Sequence, residues 1–167
     1  MRYYESAYPV FASTDGVAYE IYLSGCHGYC EGCHSPHTHD FSTGLDLNDR
    51  LIMSTLIGDI KFRYDKGEVD NIVIIGGEPL DQPENELLDF LDALNDRFPE
   101  CKLWLYTHFE GEEVRARFSS VLDNVDYVKC GKFDLSKLSD QGFKDKLTGV
   151  TLATSNQYFI KGNRGGK

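Results

Sequence analysis

Apolar residues along this chain follow two alternating periodicities, one typical of strands and the other typical of helices. Short runs rich in β-branched and aromatic residues predict strands, whereas longer stretches with apolar residues three or four positions apart predict helices. The predicted strands are residues 17–23, 71–75, 101–106, 125–129 and 148–153. The predicted helices are residues 48–64, 84–98 and 110–122.

The segments outside these elements lack a clear period. Residues 1–16 are predicted to be an irregular N-terminal extension that ends in a turn at Asp15-Gly16. Residues 131–148 are predicted to be a polar loop with one short helical piece, and residues 161–167 a flexible tail. Asn48 is the predicted cap of the first helix.

Strands that alternate with helices indicate right-handed β-α-β units and therefore an α/β fold with a parallel sheet. About five mostly parallel strands are too few to close an eight-stranded barrel, so we expect one domain over residues 1–167 built as a partial, open (β/α) barrel. In such folds the functional site lies at the carboxyl ends of the strands.

Three cysteines follow the first of these strands on one short loop. Cys26, Cys30 and Cys33 are spaced C-x3-C-x2-C. Three soft thiolates on one loop can bind three irons of a cubane iron–sulfur cluster. The fourth iron would then lack a cysteine from this motif, which makes it a place where another ligand could bind.

Two other readings of the cysteines stay open. The first is a structural zinc site whose fourth ligand is one of His27, His34, His37 or His39. The spacing favours a cluster, because structural zinc usually takes paired ligands from two segments and the sequence has no second Cys-x-x-Cys. The second reading is three unrelated buried thiols.

A glycine pair follows the second predicted strand. Gly76 and Gly77 would allow a ligand to approach the backbone closely, Glu78 could accept a hydrogen bond from an ammonium group, and Pro79 would fix the turn. Such a pair can also be only a tight connection. In a parallel sheet, however, these residues fall on the same rim as the cysteine loop, as do Thr107 and residues 130–132.

Composition narrows the class of protein. The formal net charge of −10 argues against a general nucleic-acid binder and against docking on anionic membranes. No stretch approaches the ~20 apolar residues of a membrane span, and residues 1–6 lack the apolar run of a signal peptide, so a cytoplasmic location is expected. Five cysteines, an odd number, favour ligation over disulfides in a reducing compartment.

The three cysteines and residues 76–79 resemble motifs of a known superfamily. Cys26, Cys30 and Cys33 match the signature of radical S-adenosylmethionine enzymes, and residues 76–79 (GGEP) resemble the superfamily's motif that binds the methionine amino group. The resemblance implies a [4Fe–4S] cluster whose open iron binds the amino and carboxylate groups of S-adenosylmethionine. The reduced cluster would cleave this cofactor to methionine and a 5′-deoxyadenosyl radical, so the three cysteines would be catalytic through the cluster.

Within the superfamily, the chain is most similar to the activating enzyme of anaerobic ribonucleotide reductase. Four segments resemble motifs of that family: residues 30–41, 103–107, 125–133 and 155–157. Thr107 and Asn156, in the second and fourth of these segments, are predicted cofactor contacts. Ser35, His39, His108 and Cys130 stand where the family usually has Asn, Trp, Gly and Asp.

The resemblance also implies partners. The protein substrate would be the large subunit of anaerobic ribonucleotide reductase, whose C-terminal glycine loop would lose a Cα hydrogen and become a glycyl radical. The electron would come from a donor such as flavodoxin or ferredoxin. The acidic charge of the chain leads us to expect a basic docking patch on the reductase.

Alternative functions remain open from the sequence. One is another radical enzyme, either the activase of a different glycyl-radical enzyme or a small-molecule enzyme similar to 7-carboxy-7-deazaguanine synthase. Another, from a different class, is a binding module built around structural zinc.

Overall fold

The computed structural model describes residues 1–164, which form nine strands and four helices. The strands are β1 Arg2–Val10, β2 Ala18–Ser24, β3 Leu45–Asp46, β4 Asn71–Gly76, β5 Lys102–Tyr106, β6 Tyr127–Cys130, β7 Leu138–Lys144, β8 Thr151–Thr154 and β9 Tyr158–Lys161. The helices are α1 Arg50–Tyr64, α2 Glu84–Arg97, α3 Gly111–Arg117 and α4 Ser119–Leu122. Within residues 1–164, no helix is both long and apolar enough to cross a membrane.

A seven-stranded sheet organises the fold, with the order β3-β1-β2-β4-β5-β6-β9. Its centre is parallel, since β2, β4, β5 and β6 pair in parallel, whereas β1, β3 and β9 add antiparallel edges. The prediction of an α/β fold with a mostly parallel central sheet is confirmed. The carboxyl ends of the four parallel strands meet at one edge, because each is joined to the next through a helical crossover.

The two faces of the sheet are covered differently. All four helices pack on one face, against side chains such as Ile21, Ile74, Leu105 and Val128. The other face buries Ala18, Val73, Trp104 and Phe159 under the separate two-stranded sheet β7–β8, which contributes Leu152. Strand residues alternate between the faces. We refer to the face under β7–β8 as the inner face.

Several predicted boundaries were wrong. Residues 2–10 are not irregular but form β1, whose pairing with β2 is interrupted by two register shifts that destroy the period-two pattern. Part of the predicted loop 131–148 is strand β7, whose residues are mostly exposed and polar. The predicted helix 110–122 breaks at Phe118 into α3 and α4, and Asp49 rather than Asn48 caps α1 by accepting from the amide of Leu51.

Residues 161–164 of the predicted flexible tail are hydrogen-bonded to the rest of the chain. Lys161 belongs to β9, and the amides of Gly162, Asn163 and Arg164 donate to carbonyl oxygens of the segment 122–126. Residues 165–167, the remainder of that predicted tail, lie outside the described part of the chain.

The side chain of Arg164 joins residues 161–164 to the rest of the chain. Its guanidinium donates to the carbonyl oxygen of Cys101 at 2.6 Å, to Asp126 Oδ2 at 2.9 Å and to the carbonyl oxygen of Pro99 at 3.2 Å. Arg164→Met should therefore lower the free energy of unfolding by about 1–3 kcal/mol, measured by urea denaturation of the purified protein. Lys161→Met, at an exposed position, is the control, and a loss below about 0.5 kcal/mol at Arg164 would contradict the prediction.

Candidate functional site

The cysteine loop begins directly after β2 and is closed by backbone hydrogen bonds. The amide of Gly25 donates to the carbonyl oxygen of Thr38 at 2.7 Å, and the amide of Cys26 donates to that of His39 at 3.1 Å. A further bond from the amide of Cys33 to the carbonyl oxygen of Cys30 makes a tight turn within the loop. The loop therefore holds its three thiols at the carboxyl end of β2, as predicted from the sequence.

All three thiols face one cavity. Cys26 is buried, whereas Cys30 and Cys33 are partly buried. Burial raises the pKa of Cys33, the amide of Ser35 opposes this, and the neighbouring Cys30 and Cys26 act in the same direction as burial. The three sulfurs are thus close enough to influence one another electrostatically, which is the arrangement that a positively charged metal centre would stabilise.

The thiols do not converge on a single point. Within residues 1–164, no three side chains of His, Cys, Asp or Glu lie close enough together to hold one metal ion. A cubane does not require such convergence, because each of its thiolate ligands binds a different iron.

The glycine turn after β4 lies against the cysteine loop. Gly76 has a φ of +103°, and a Cβ there would lie 2.7 Å from the backbone nitrogen of Leu23. A Cβ on Gly77 would overlap the carbonyl oxygen of Gly25. The amides of Gly77 and Glu78 donate to the carbonyl oxygens of Leu23 and Gly25, at 2.8 and 2.7 Å. Two strand ends therefore meet backbone to backbone, which glycine permits.

Gln82 and Asp81 tie the two loops together further. The side-chain amide of Gln82 donates to the carbonyl oxygens of Ser24, Gly25 and Glu78 at 3.1–3.3 Å. Asp81 accepts from the amide of His27 at 2.7 Å. The position of the cysteine loop thus depends directly on the segment 77–82.

Glu78 is almost completely buried and is already bound within the protein. Its Oε1 accepts from the amide of Leu80 at 3.0 Å, and its Oε2 accepts from the amide of His108 at 2.7 Å. The Nδ1 of His108 also lies 2.8 Å from Oε2. Burial lowers the pKa of His108, but hydrogen bonds and charges from Cys26 and Glu78 outweigh burial and raise this pKa to about 10.

The shared cavity has a volume of about 300 Å³, which is the size of a small-molecule site. It lies on the inner face of the sheet, at the carboxyl ends of the parallel strands. Of the residues predicted to contact a cluster or cofactor, it brings together Cys26, Cys30, Cys33, Gly76, Gly77, Glu78 and Thr107.

Two predicted residues are not part of the lining. Pro79 is buried and begins the short 3₁₀ turn Pro79–Asp81 beside the cavity. Asn156 donates from its side chain to the carbonyl oxygen of Lys132 at 2.8 Å, while its neighbour Gln157 lines the cavity and donates to the carbonyl oxygen of Gly131. Thr107 lines the cavity, and its hydroxyl also accepts from the amide of Phe109.

The histidines of the cysteine loop divide into two pairs. His34 and His39 line the cavity, where His34 packs against Phe133 at a ring distance of 4.7 Å and His39 contacts Tyr29 at 5.5 Å. His27 pairs with Asp81, and His37 pairs with Glu5. That most of them pack the loop or line a cofactor site stays a prediction, and His34 and His39 are the two that line the cavity among the described residues.

Sequence reasoning missed Glu20, Ile75 and Lys129, three inner-face side chains of the cavity, whereas it gave Tyr106 equally as a cofactor contact at a strand end or as a core residue. All four come from neighbouring strands and line the cavity. Their signal was present, since each lies an even number of positions from an inner-face apolar residue of its own strand. Glu20 and Lys129 are charged residues on the inner face of otherwise apolar strands. The alternation of side chains along a strand therefore identifies them as candidate site residues.

The remaining two cysteines lie away from the cavity. Cys101 and Cys130 are buried in the core on the helical side of the sheet. Burial raises the pKa of Cys101 to about 11 and that of Cys130 to about 12. Both therefore have the character of inert core thiols.

Comparison with known proteins agrees with this site. The sequence profile of a family described as 4Fe-4S single cluster domain matches residues 13–149, which include the cysteine loop and the glycine turn.

Several curated proteins are also similar over most of the chain. An anaerobic ribonucleoside-triphosphate reductase-activating protein of Enterobacteria phage T4 is 27% identical over 134 residues, covering 78% of this chain and 81% of the phage protein. The protein of the same name from Haemophilus influenzae is 28% identical over 120 residues, covering 71% and 76%. That from Escherichia coli K12 is 26% identical over 133 residues, covering 78% and 84%.

Proposed function

We propose that this chain, which belongs to the 4Fe-4S single cluster domain family, is a radical S-adenosylmethionine enzyme that activates an anaerobic ribonucleotide reductase. The observation that carries the proposal is the contact between the cysteine loop and the glycine turn. Three thiols and a glycine-lined backbone face one cavity, and hydrogen bonds hold the two loops together. The names of the similar proteins supply the substrate class.

The donor set fits an iron–sulfur cluster. Among residues 1–164, three thiols and no fourth lie on the cavity wall, which suits a cubane with one iron open to a further ligand. In this assignment Cys26, Cys30 and Cys33 hold the cluster. When bound, the cluster and S-adenosylmethionine would supply a one-electron reductive cleavage of the cofactor and, through it, the removal of a hydrogen atom from the partner.

The protein's own groups position the cofactor. The bare backbone at Gly76 and Gly77 allows the methionine end to approach the strand ends without a side chain between them. Glu78 holds the turn against His108 and remains a predicted acceptor for the amino group, because each carboxylate oxygen can accept more than one hydrogen bond. Thr107 lines the cavity. Pro79 begins the turn Pro79–Asp81 and Asn156 donates to the carbonyl oxygen of Lys132, both outside the lining.

The architecture supports access by a protein substrate. We infer that the sheet is an open, partial barrel within one domain, since β2, β4, β5 and β6 carry the cavity on their inner face and β7–β8 covers only part of it. Tyr29, on the cysteine loop, is 84% exposed. An apolar ring at the edge of the site suits contact with a partner's glycine loop.

The cellular setting is part of the proposal. All five cysteines are free thiols, which supports a reducing compartment such as the cytoplasm. The single electron would come from a small donor protein of the flavodoxin or ferredoxin type. The chain's net charge of −10 makes a basic surface on the reductase the expected docking partner.

The direct test is electron paramagnetic resonance on the anaerobic mixture of reduced, cluster-loaded protein, S-adenosylmethionine and the reductase of the same organism. We expect a glycyl radical doublet that depends on all three components, together with release of methionine and 5′-deoxyadenosine. The matched control is the same mixture with Cys30→Ala protein, which should give neither signal. Cofactor cleavage without a doublet would redirect the proposal to another substrate, and the absence of cleavage would end the radical assignment.

A further inference from the structure

Glu20 is an acidic residue of the cavity wall that nothing in the proposed function uses. It lies on β2 two residues from Ala18, so it points to the inner face, and it is only 5% exposed. In the sheet Glu20 pairs with Val73, which precedes Gly76 by three residues. Glu20 therefore lines the same cavity as the three cysteines but lies further from the rim that carries the cysteine loop and the glycine turn.

The carboxylate of Glu20 is only partly satisfied within the described chain. The hydroxyl of Tyr22 donates to its Oε2 at 2.6 Å. Among residues 1–164, its Oε1 accepts no hydrogen bond and neither oxygen makes an ion pair. The ammonium of Lys129, on the same cavity wall, lies instead 5.4 Å from the centre of the Tyr106 ring. A carboxylate buried to this extent is costly without a countercharge, and a cation in the cavity would relieve this cost.

The groups around Glu20 suit a cationic side chain. The Tyr106 ring also lines the cavity, and Glu20 and Tyr22 add to the effect of burial in raising the pKa of Tyr106, which reflects their proximity. Ser13 lines the cavity too, and its buried hydroxyl has no hydrogen-bond partner among the described residues. A carboxylate, an aromatic ring and a hydroxyl oxygen are groups that accept the N–H donors and the charge of lysine or arginine.

The segment that carries Ser13 is held in place. The hydroxyl of Tyr106 donates to the carbonyl oxygen of Ser13 at 2.5 Å, and the side-chain amide of Asn71 donates to the hydroxyl of the adjacent Thr14 at 3.0 Å. The oxygen atoms of Ser13 and Glu20 are therefore presented by fixed elements, as a preformed binding site requires.

We propose that Glu20 binds a lysine or arginine side chain of the reductase segment that carries the radical glycine. The inference rests on the proposed function, in which that segment enters the cavity. S-adenosylmethionine does not supply the cation in this assignment. Its ammonium is assigned to the glycine turn at the rim, its sulfonium has no N–H to donate and must lie beside the cluster that reduces it, and its adenosine is neutral. The partner is then the remaining source of a positive charge.

The test measures binding of the reductase of the same organism to anaerobic, cluster-loaded protein with S-adenosylmethionine present, by isothermal titration calorimetry. Glu20→Gln keeps the acceptor for Tyr22 but removes the charge, and it should weaken binding of the reductase by about 10- to 100-fold. Its affinity for S-adenosylmethionine should stay within about twofold. Glu112→Gln, which removes the same charge at an exposed position of α3, should leave both affinities within about twofold.

The partner's residue is identified by a double-mutant cycle. Each lysine and arginine near the radical glycine of the reductase is changed to methionine in turn, and each variant is titrated with the unaltered protein and with Glu20→Gln. One of these substitutions should weaken binding to the unaltered protein by about 10-fold or more and have little further effect with Glu20→Gln. The absence of any coupled substitution would overturn the inference.

The other outcomes also decide the question. Unchanged binding of the reductase to Glu20→Gln would remove the role from Glu20. Equal loss of affinity for S-adenosylmethionine and for the reductase would mean that Glu20 acts on the cofactor or on the fold, which also overturns the inference. If Glu20→Gln does not load a cluster, Glu20→Met replaces it in the same titrations. Failure of the unaltered protein to bind the reductase or to give a glycyl radical would count against the proposed function itself.

Discussion

Cys30→Ala is expected to abolish cluster binding and, with it, all reductive cleavage of S-adenosylmethionine. Cys30 is the middle cysteine of the loop and lines the cavity, and its carbonyl oxygen accepts the backbone hydrogen bond from Cys33 that closes a tight turn. Loss of one of three thiolates leaves a cubane with two protein ligands, because no other cysteine reaches the cavity wall within residues 1–164. After anaerobic reconstitution, iron should fall from about four per chain to near zero, and cleavage by more than about 100-fold.

The control is Cys101→Ala. Cys101 is buried in the core on the helical side of the sheet, and its pKa is raised to about 11 by burial, so it behaves as a small apolar residue. This variant should keep its brown colour, iron content and cleavage, and lose only about 1 kcal/mol of stability through the cavity it leaves. If the Cys30 variant kept iron and cleavage, the loop would not be the cluster site. If both the Cys30→Ala and the Cys101→Ala proteins were colourless and contained zinc, the structural zinc interpretation would be supported.

The core of the site could be predicted because its signals are local. The apolar runs of β2 and β4 are buried on both faces and predict strands, and the alternation of strands with helices predicts their parallel pairing. The cysteines and the glycine pair come immediately after these two strands. Their meeting at one edge follows from parallel topology, and the structure adds the hydrogen bonds that join Gly77 and Glu78 to Leu23 and Gly25.

Other parts could not be predicted because tertiary context decides them. The register shifts of β1 remove its alternation, and the exposed, polar β7 has no apolar face to give it a period. Asn156 and Gln157 are adjacent amides with equal chemistry, and the direction of the chain alone determines that Gln157 lines the cavity. Lys129 was passed over because one charged residue in a short strand resembles a solvent-exposed position until the cover formed by β7–β8 is known.

Gly77→Ala is expected to have the second largest effect, because it separates the two halves of the site. The added Cβ would overlap the carbonyl oxygen of Gly25, so the glycine turn and the cysteine loop must move apart. That displacement would stretch the bonds from Gly77 to Leu23 and from Glu78 to Gly25, which measure 2.8 and 2.7 Å. We expect a loss of about 1–3 kcal/mol in stability from overpacking against backbone. Affinity for S-adenosylmethionine should fall by about 10- to 100-fold, since a misplaced binding group loses most of its contribution.

Gly58→Ala separates this mechanism from a general intolerance of glycine replacement. Gly58 lies on the exposed side of α1, where a Cβ would meet nothing within 4 Å. The same substitution there should raise stability by up to about 1 kcal/mol, because alanine favours a helix interior, and should leave cofactor binding unchanged. Thermal unfolding measures the stability of the Gly77→Ala and Gly58→Ala variants, and equilibrium dialysis measures their affinity for S-adenosylmethionine. A Gly77 variant with unaltered affinity would mean that the cofactor does not need the close approach of the two loops. A shared cluster and cofactor site would then be contradicted, because that close approach is what unites the cysteine loop with the glycine turn.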